Sequence, residues 1–156
     1  MTEQAFLDAV QTHQAMLFRV AYTILHNHED CADALQDALE KAWRKKDSIR
    51  NPEAFRSWMV RIIINCSRDT LRRRKLTFTS LDENIPAPEV EDYQLADTLK
   101  RLDEGLRLPI VLHYMENLSV SEIAQTMRLP QGTIKNRLHR GREKLAKLYH
   151  EEGMVW

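Results

Sequence analysis

Apolar residues recur along this chain with the period of amphipathic helices, and no stretch alternates apolar and polar residues as a half-buried strand does. The period predicts three long helices towards the N-terminus and four shorter ones towards the C-terminus. The predicted helices span Thr2–Leu25, Glu29–Arg44, Glu53–Arg74, Gln94–Arg101, Leu108–Glu116, Val120–Arg128 and Gly132–Glu151. The pattern therefore predicts an all-α fold.

The apolar positions within the longer helices mark the faces that we expect to form the core. The expected core residues are Phe6, Val10, Leu17, Val20 and Ile24 in the first helix, Ala34, Leu35, Ala38, Leu39 and Ala42 in the second, Phe55, Trp58, Met59, Ile62 and Cys66 in the third, and Ile134, Leu138, Gly141 and Leu145 in the last.

The segment Thr77–Tyr93 interrupts the helical pattern with two prolines and dense acidic residues. Such a composition is typical of a linker. A chain of 156 residues suffices for two small domains. We therefore expect one helical domain at residues 1–75 and another at residues 94–156, joined by an acidic linker at residues 76–93.

The chain is formally neutral, with 23 basic and 23 acidic residues, but its charges are segregated. Arg61–Lys75 holds six basic residues and one acid, residues 81–97 hold six acids and no base, and Thr133–Leu148 again holds six basic residues and one acid. Two separate basic segments in a neutral chain indicate an anionic partner that is met at two places.

The second basic segment follows a turn between two predicted helices, because Pro130 and Gly132 break the chain there. Two short helices, a tight turn and a basic outer face are typical of a helix-turn-helix, whose second helix enters a DNA major groove. A solvated basic helix packed in a bundle is the alternative. The polar residues opposite the expected core face are Asn136, His139, Arg140, Glu143 and Lys147.

The third helix carries a comparable polar stripe on one side. Cations and an amide in a row suit a nucleic-acid backbone and base edges. The run Arg72–Lys75 would also stabilise the helix C-terminus through the helix dipole, but that role does not account for the residues further up the helix. The stripe consists of Ser57, Arg61, Asn65, Arg68 and Arg72.

The second helix carries an acidic-polar row beside its apolar face. An acidic row is poorly suited to contact DNA, so we expect it to dock a basic or polar surface of another protein. An ordinary solvated helix face explains the same charge pattern. The row consists of Asp33, Gln36, Asp37 and Glu40.

Three segments together resemble a known family. They are DCADALQDALEKAW at residues 30–43, FRSWMVRIIINCSRDTLRRRK at residues 55–75 and LPIVLHYMENLSVSEIAQTMRLPQGTIKNRLHRGREKL at residues 108–145. They look like conserved regions 2 and 4 of the extracytoplasmic-function (ECF) bacterial sigma factors. The resemblance covers nearly the whole chain. It implies region 2 in the first domain, region 4 with a helix-turn-helix in the second, and a non-enzymatic subunit that directs transcription initiation of a stress or envelope-response regulon.

The resemblance also implies roles for particular residues and partners. The acidic-polar row would bind the clamp helices of core RNA polymerase, and region 4 would pack on its flap. The linker would thread the RNA exit path, and an anti-sigma factor is an expected further partner. The −10 promoter element would be read and opened by Ser48, Ile49, Arg50 and Asn51 of the loop Asp47–Asn51, and by Arg61, Asn65, Arg68 and Arg72. The −35 element would be read by Ser121, Thr133, Lys135, Asn136, Arg137 and Arg140.

Three positions depart from the family pattern. In the second helix, Ala32 stands where the family often has Glu before the Asp of its clamp motif, and Leu39 stands in place of an aromatic residue. The family usually has Gly at the end of the first helix of the motif, where this chain has Arg128. A residue at that place often takes a positive φ, which Gly tolerates best. We therefore expect either a mildly strained Arg128 or a different turn.

Two other classes of function are open to the same residues. An enzyme is one, but the chain has no phosphate-cradling glycine loop, nucleophile elbow or paired-carboxylate signature. A regulator that binds operators without polymerase is the other. It would account for the helix-turn-helix but not for the stripe on the third helix, and it would dimerise to read paired half-sites.

No cofactor, metal or membrane anchor is expected. His26, His28 and Cys31 offer three ligands where structural zinc normally has four. The N-terminal residues lack the basic region of a signal peptide, and the apolar runs are too short to cross a bilayer. The sequence therefore predicts a cytoplasmic protein without stable membrane insertion.

Overall fold

The computed structural model describes residues 1–76 and 98–151. Within these two ranges the regular secondary structure is helical and contains no β-strand, which confirms the all-α prediction. The chain divides into two compact units, Met1–Pro88 and Glu89–Trp156, which we call the N-terminal and C-terminal units. The predicted linker lies outside the described residues, apart from Leu76.

Over residues 1–76 the N-terminal unit is a bundle of three helices, α1 (Glu3–Leu25), α2 (His28–Arg44) and α3 (Phe55–Leu76), each of which packs against the other two. The predicted boundaries of these helices agree with the structure to within two residues. The α2 helix starts at a regular N-cap, because the side-chain oxygen of Asn27 accepts the N–H of Asp30 at 2.9 Å. Short 3₁₀ turns at Lys46–Ser48 and Pro52–Ala54 lie in the connection between α2 and α3.

The α3 helix is buried over a broad arc because it packs against both α1 and α2. The predicted core face is wrong at Trp58 and Ile62, which are only half-buried, and it omitted Ile63, which is fully buried. The helical period shows which residues share a face but not which faces the neighbouring helices cover. The buried residues of α3 are Phe55, Met59, Val60, Ile63, Ile64, Cys66, Ser67 and Thr70. Three further predicted core residues are also only half-buried: Val10, Leu35 and Leu39.

In the described part of the C-terminal unit, residues 98–151, three longer helices follow a short helical segment. The prediction of a helix that starts at Leu108 is wrong, because the helix begins at Glu104 after an N-cap at Asp103. Proline is typical of a first turn, but Pro109 lies in the second turn of this helix. Residues 98–100 are helical, and the rest of the predicted helix Gln94–Arg101 lies largely outside the described residues. The helices are α4 (Glu104–Ile110), which continues as a π-helical turn at Val111–Met115, α5 (Val120–Met127) and α6 (Gln131–Glu151).

The α6 helix packs against both α4 and α5. The four predicted core residues, Ile134, Leu138, Gly141 and Leu145, are buried, and so is Leu148, which the prediction omitted. The α5 helix begins with a capping box at Ser119. The Ser119 hydroxyl accepts the N–H of Glu122 and the Glu122 carboxylate accepts the N–H of Ser119, both at 3.0 Å. Two helices joined by a short turn therefore form the helix-turn-helix.

Arg128 ends α5 in the left-handed region, at φ 56° and ψ 47°, so the first of the two expectations for this residue is confirmed. A side chain in this conformation costs about 1–2 kcal/mol, whereas glycine loses about 0.5–1 kcal/mol through its greater freedom in the unfolded chain. We expect Arg128→Gly to raise the free energy of unfolding of the C-terminal unit by about 0.5–1 kcal/mol. Urea-induced unfolding measures this change.

The matched control is Gln125→Gly in the same helix, where the native residue is exposed and has ordinary helical geometry. It should lower the free energy of unfolding by about 1 kcal/mol. Destabilisation by both substitutions would contradict backbone strain at Arg128.

Candidate nucleic-acid and protein interfaces

The polar face of α6 lies opposite its buried face. On this face the Nε2 atom of His139 lies 3.0 Å from a carboxylate oxygen of Glu143. The surface combines cations, an amide and hydroxyl groups, which are the groups that contact DNA phosphates and base edges. Among the predicted −35 contacts, Ser121, Lys135, Asn136 and Arg140 are exposed, and Thr133 and Arg137 are half-buried.

The α6 backbone approaches α4 closely at Gly141. A Cβ atom added to Gly141 would lie 2.8 Å from Cγ1 and 3.0 Å from Cδ1 of Ile110. Carbon atoms in contact prefer separations of about 3.5–4.0 Å, so this position has no room for a side chain. The buried Ile110 side chain therefore limits how closely α6 can pack against α4.

Polar side chains of α6 also contact the neighbouring elements. A guanidinium nitrogen of Arg137 lies 3.7 Å from the position that a Cβ on Gly105 would occupy, so this side chain lies beside the first turn of α4. Arg142 donates a hydrogen bond of 2.6 Å to the Tyr114 hydroxyl. These contacts join polar side chains of α6 to α4 and to the π-helical turn that follows it.

The predicted stripe of the N-terminal unit runs along α3. Asn65, Arg68 and Arg72 are exposed, and Arg61 is half-buried. Arg72 forms an ion pair with Asp69, one turn earlier in the helix. Exposed ion pairs of this kind contribute about 0–1 kcal/mol, so a phosphate group can compete for Arg72.

The loop between α2 and α3 leads directly into this stripe. Ser48, Arg50 and Asn51 are exposed, and Ile49 is half-buried. The side chains of Ser48 and Asn51 form hydrogen bonds with the backbone around the loop. The structure therefore brings the predicted loop and stripe residues together in a single unit.

The acidic-polar row lies along α2, where Asp33, Gln36 and Glu40 are exposed and Asp37 is half-buried. The row borders two open grooves between α2 and α3, and Asp37 and Arg73 line both of them. The acidic surface of α2 and the basic C-terminal end of α3 are therefore neighbours.

Two ion pairs connect these surfaces. Arg73 lies 3.3 Å from the Asp37 carboxylate, and the two side chains are 64% and 42% exposed. Arg74 lies 2.7 Å from the Asp30 carboxylate and donates to the Leu25 carbonyl at 3.2 Å. The second pair is about three-quarters buried, so it fastens α3 to α2 and to the end of α1, whereas the first is an exchangeable surface pair.

The sequence pattern predicted neither pairing. It indicated that Arg72–Lys75 contact a nucleic acid or stabilise the helix C-terminus through the helix dipole. A signal was present, because Asp30 and Asp37 lie two helical turns apart on the same side of α2. The sequence does not show which arginine would face each acid, because that depends on the register in which two distant helices pack.

The junction of α1 and α2 contains His26, His28 and Cys31. Cys31 is fully buried, and burial raises the pKa of its thiol to about 12. It therefore stays protonated at neutral pH. Among residues 1–76 and 98–151, no three His, Cys, Asp or Glu side chains meet in a metal-binding arrangement. None of the helices in these ranges has the length and apolarity needed to cross a bilayer.

Known proteins share both regions of this chain. The family model for Sigma-70 region 2 matches residues 9–77, and that for Sigma-70, region 4 matches residues 93–145. The ECF RNA polymerase sigma factor SigW of Bacillus subtilis is 31% identical, over 93% of this chain and 89% of that protein. The ECF RNA polymerase sigma factor SigM of Mycobacterium tuberculosis is 33% identical, over 92% and 76%.

Solved structures of known proteins also resemble this chain over nearly its whole length. The sigma factor RpoE of Bartonella quintana, in complex with the anti-sigma factor NepR, has a TM-score of 0.79 and 25% identity, over 93% of this chain and 96% of that one. CnrH, in complex with the cytosolic domain of CnrY, has a TM-score of 0.74 and 29% identity, over 96% and 90%.

The helix-turn-helix and the two matched regions define the class as a helical DNA-binding protein of the transcription machinery. The chain belongs to the ECF family of RNA polymerase sigma factors. It functions in transcription initiation, and regions 2 and 4 are the domains with which sigma factors bind RNA polymerase and promoter DNA. The family resemblance that the sequence suggested is confirmed.

Proposed function

We propose that this chain docks on core RNA polymerase through the acidic-polar row of α2 and directs the enzyme to promoters by reading two separate elements. The observation that carries the proposal is the division of charge within the N-terminal unit. Acidic and amide groups line α2, while a cationic stripe runs along the adjacent α3. A unit that bound only DNA would lose affinity through a neighbouring acidic surface, so the acids indicate a second, protein partner.

In the proposed docking mode, the row contacts the clamp helices. Asp37 is held in the free protein by Arg73, whose side chain is 64% exposed. A cation of the polymerase can replace such a partner at little cost, because an exposed pair contributes about 0–1 kcal/mol. The flap contact belongs to the C-terminal unit. The docking residues are Asp33, Gln36, Asp37 and Glu40.

The two promoter elements call for different chemistry. A helix with exposed polar residues suits the major groove of duplex DNA, and α6 presents such a face. A cationic stripe beside a loop suits separated bases that are held individually, as an opened −10 element requires. The residues proposed to form the −10 surface, by contacting DNA or by positioning the loop, are Ser48, Ile49, Arg50, Asn51, Arg61, Asn65, Arg68 and Arg72, and the proposed −35 residues are Ser121, Thr133, Lys135, Asn136, Arg137 and Arg140.

We further propose an anti-sigma factor as a partner. Support comes from the RpoE structure, which contains the anti-sigma factor NepR, and from the CnrH structure, which contains the cytosolic domain of CnrY. The protein would act in the cytoplasm with the polymerase, without a cofactor or catalytic activity of its own. Its promoters would belong to a stress or envelope-response regulon, as the family resemblance implies.

The docking surface is tested by combining Gln36→Ala with Asp37→Arg. We expect affinity for purified core polymerase to fall by about tenfold, equivalent to about 1.4 kcal/mol, because the reversal places a cation where the proposed partner also supplies one. The free energy of unfolding should change by no more than about 1 kcal/mol, since the ion pair that Asp37 forms with Arg73 is at the surface. Fluorescence anisotropy measures binding, and urea-induced unfolding measures stability.

The matched control is Asp8→Arg, which changes the net charge equally at an exposed position of α1. It should leave core affinity within about twofold of the wild type, because long-range charge effects are screened by salt. Equal losses in both proteins would indicate a general charge effect. Unchanged affinity of the α2 variant would place the docking surface elsewhere.

The division between promoter elements is tested with Arg140→Ala and Asn65→Ala in run-off transcription from a promoter selected with core polymerase. Arg140→Ala should weaken recruitment by about 1–3 kcal/mol if it reads a base, and by less if it meets only phosphate. Asn65→Ala should spare closed-complex binding and impair opening, which permanganate footprinting of unpaired thymines reports. Lys147→Ala, further along α6, should have the smaller effect of a backbone contact.

A pre-melted −10 bubble separates the two defects. It should restore transcription by the Asn65→Ala protein and leave the Arg140→Ala protein impaired. If the bubble restores only the Arg140→Ala protein, the assignment of duplex reading to the C-terminal unit and strand opening to the N-terminal unit is reversed.

A further inference from the structure

The loop between α2 and α3 is anchored at its start by contacts with its own unit. The Lys46 ammonium lies 4.2 Å from the centre of the Trp43 ring, within cation–π distance. Phe6 packs against the same indole, with 5.5 Å between ring centroids. The Ser48 hydroxyl then donates a hydrogen bond of 2.6 Å to the Lys45 carbonyl. The first half of the loop is thereby braced before it reaches its exposed residues.

The loop is also anchored at its end, where Asn51 occupies the N-cap of the helical segment that continues into α3. The Asn51 side-chain oxygen accepts the N–H of Glu53 at 3.0 Å, and its backbone oxygen accepts the N–H of Ala54 at 3.0 Å. Pro52 has no N–H, so Glu53 carries the first backbone donor that needs a partner at this helix start. The extended backbone of Asn51, at φ −118° and ψ 113°, is that of an N-cap residue.

Two side chains of the loop, unlike those of Ser48 and Asn51, are not held by polar contacts within the part of the chain that the structure describes. Asp47 and Arg50 are exposed, and neither side chain makes a hydrogen bond or ion pair with any residue in the described ranges 1–76 and 98–151. Arg50 directly precedes Asn51. The N-cap hydrogen bond of Asn51 therefore fixes the backbone next to Arg50 and, with it, the position from which the Arg50 side chain extends.

We propose that Asn51 is a positioning residue for promoter recognition, whose side chain holds the loop so that Arg50 meets the DNA, and that Asn51 does not itself read a base. The inference rests on the proposed function of this loop. An asparagine that reads adenine uses both its amide oxygen and its amide nitrogen. The oxygen of Asn51 already accepts the N–H of Glu53, so a bidentate contact with a base would have to share that oxygen through its second lone pair or displace the cap.

The test compares Asn51→Ala with Asn51→Ser in the full-length chain assembled with purified core polymerase. The probe is a promoter, selected by the wild-type protein from a library randomised over the −10 element, with that element pre-melted. Serine is an N-cap residue as good as asparagine but has no amide, whereas alanine cannot cap. Circular dichroism checks that both variants are folded.

Asn51→Ala should bind the probe about fivefold more weakly, because loss of a cap lowers the fraction of the loop in its binding-competent conformation. Asn51→Ser should bind within about twofold of the wild type, since the cap is kept. Repeating the library selection should return the same −10 preference for both variants, because the residues that read the bases are unchanged.

The inference is overturned if Asn51→Ser binds as weakly as Asn51→Ala and the preference relaxes at one promoter position, since the amide would then be reading a base. Wild-type binding by Asn51→Ala overturns it as well. Arg50→Ala separates these outcomes from failure of the proposed function. It should weaken binding about fivefold or more if Arg50 contacts DNA. Wild-type affinity of Arg50→Ala would mean that the loop does not meet the promoter, whatever the Asn51 variants do.

Discussion

Ile63→Ala is expected to lower the free energy of unfolding of the N-terminal unit by about 2–5 kcal/mol. Ile63 is 0% exposed, and it lies in the helix that packs against both other helices of the unit. The substitution removes three buried carbon atoms and leaves a cavity into which the surrounding helices can only partly relax. Urea-induced unfolding, followed by the fluorescence of Trp43 and Trp58, measures the loss.

Ile62→Ala is the matched control, because it makes the same chemical change one residue earlier at a half-buried position. Its cost should be about 1 kcal/mol or less, since less apolar surface is lost and alanine favours the helix. Equal losses at the two positions would contradict the buried arc of α3. A larger loss at Ile62 would restore the core face that the apolar pattern predicted.

Gly141→Val is expected to lower the free energy of unfolding of the C-terminal unit by about 2–3 kcal/mol, near the upper end of the usual cost of overpacking. Even the Cβ atom would lie 2.8 Å from the buried Ile110 side chain, and valine adds two methyl groups beyond it. Either Ile110 moves into its neighbours or α6 is displaced from α4. Because a displaced α6 carries all its exposed residues with it, promoter recruitment should fall further than in Arg140→Ala.

Gly132→Val is the control in the same helix, since a Cβ at Gly132 meets nothing within 4 Å. Its effect on stability should stay within about 0.5 kcal/mol, as at other open surface positions. Adding Ile110→Ala to Gly141→Val should recover part of the loss, because the two side chains compete for one space. Strictly additive losses would contradict their direct contact.

The helix-turn-helix could be predicted closely from the sequence. The residues Ile134, Leu138 and Leu145 share one face by their spacing alone, and α6 buries that face. The strained position of Arg128 was also foreseeable, because the end of a helix before a tight turn often takes a positive φ. Both features depend on residues that are close together in the chain.

The interfaces of the N-terminal unit were less predictable. The stripe Arg61–Arg72 follows from the helical period, but the pairing of Arg74 with Asp30 does not, since the two residues are 44 positions apart. Burial of Arg107 was not foreseeable either. It is 8% exposed and donates to the Leu102 carbonyl at 2.9 Å, and burial lowers the pKa of its guanidinium.

Local chemistry along the chain was enough to predict most of the helices, the turn of the helix-turn-helix and the polar faces of α3 and α6, because period, capping and charge act over a few residues at a time. The family followed from the resemblance of three segments to known sequences. Packing decided the rest. It buried Ile63 rather than Ile62, paired Arg73 and Arg74 with acids of α2, and brought Gly141 against Ile110. These outcomes depend on how far each helix is rotated and shifted against helices distant in the chain, and many contacts acting together determine that arrangement.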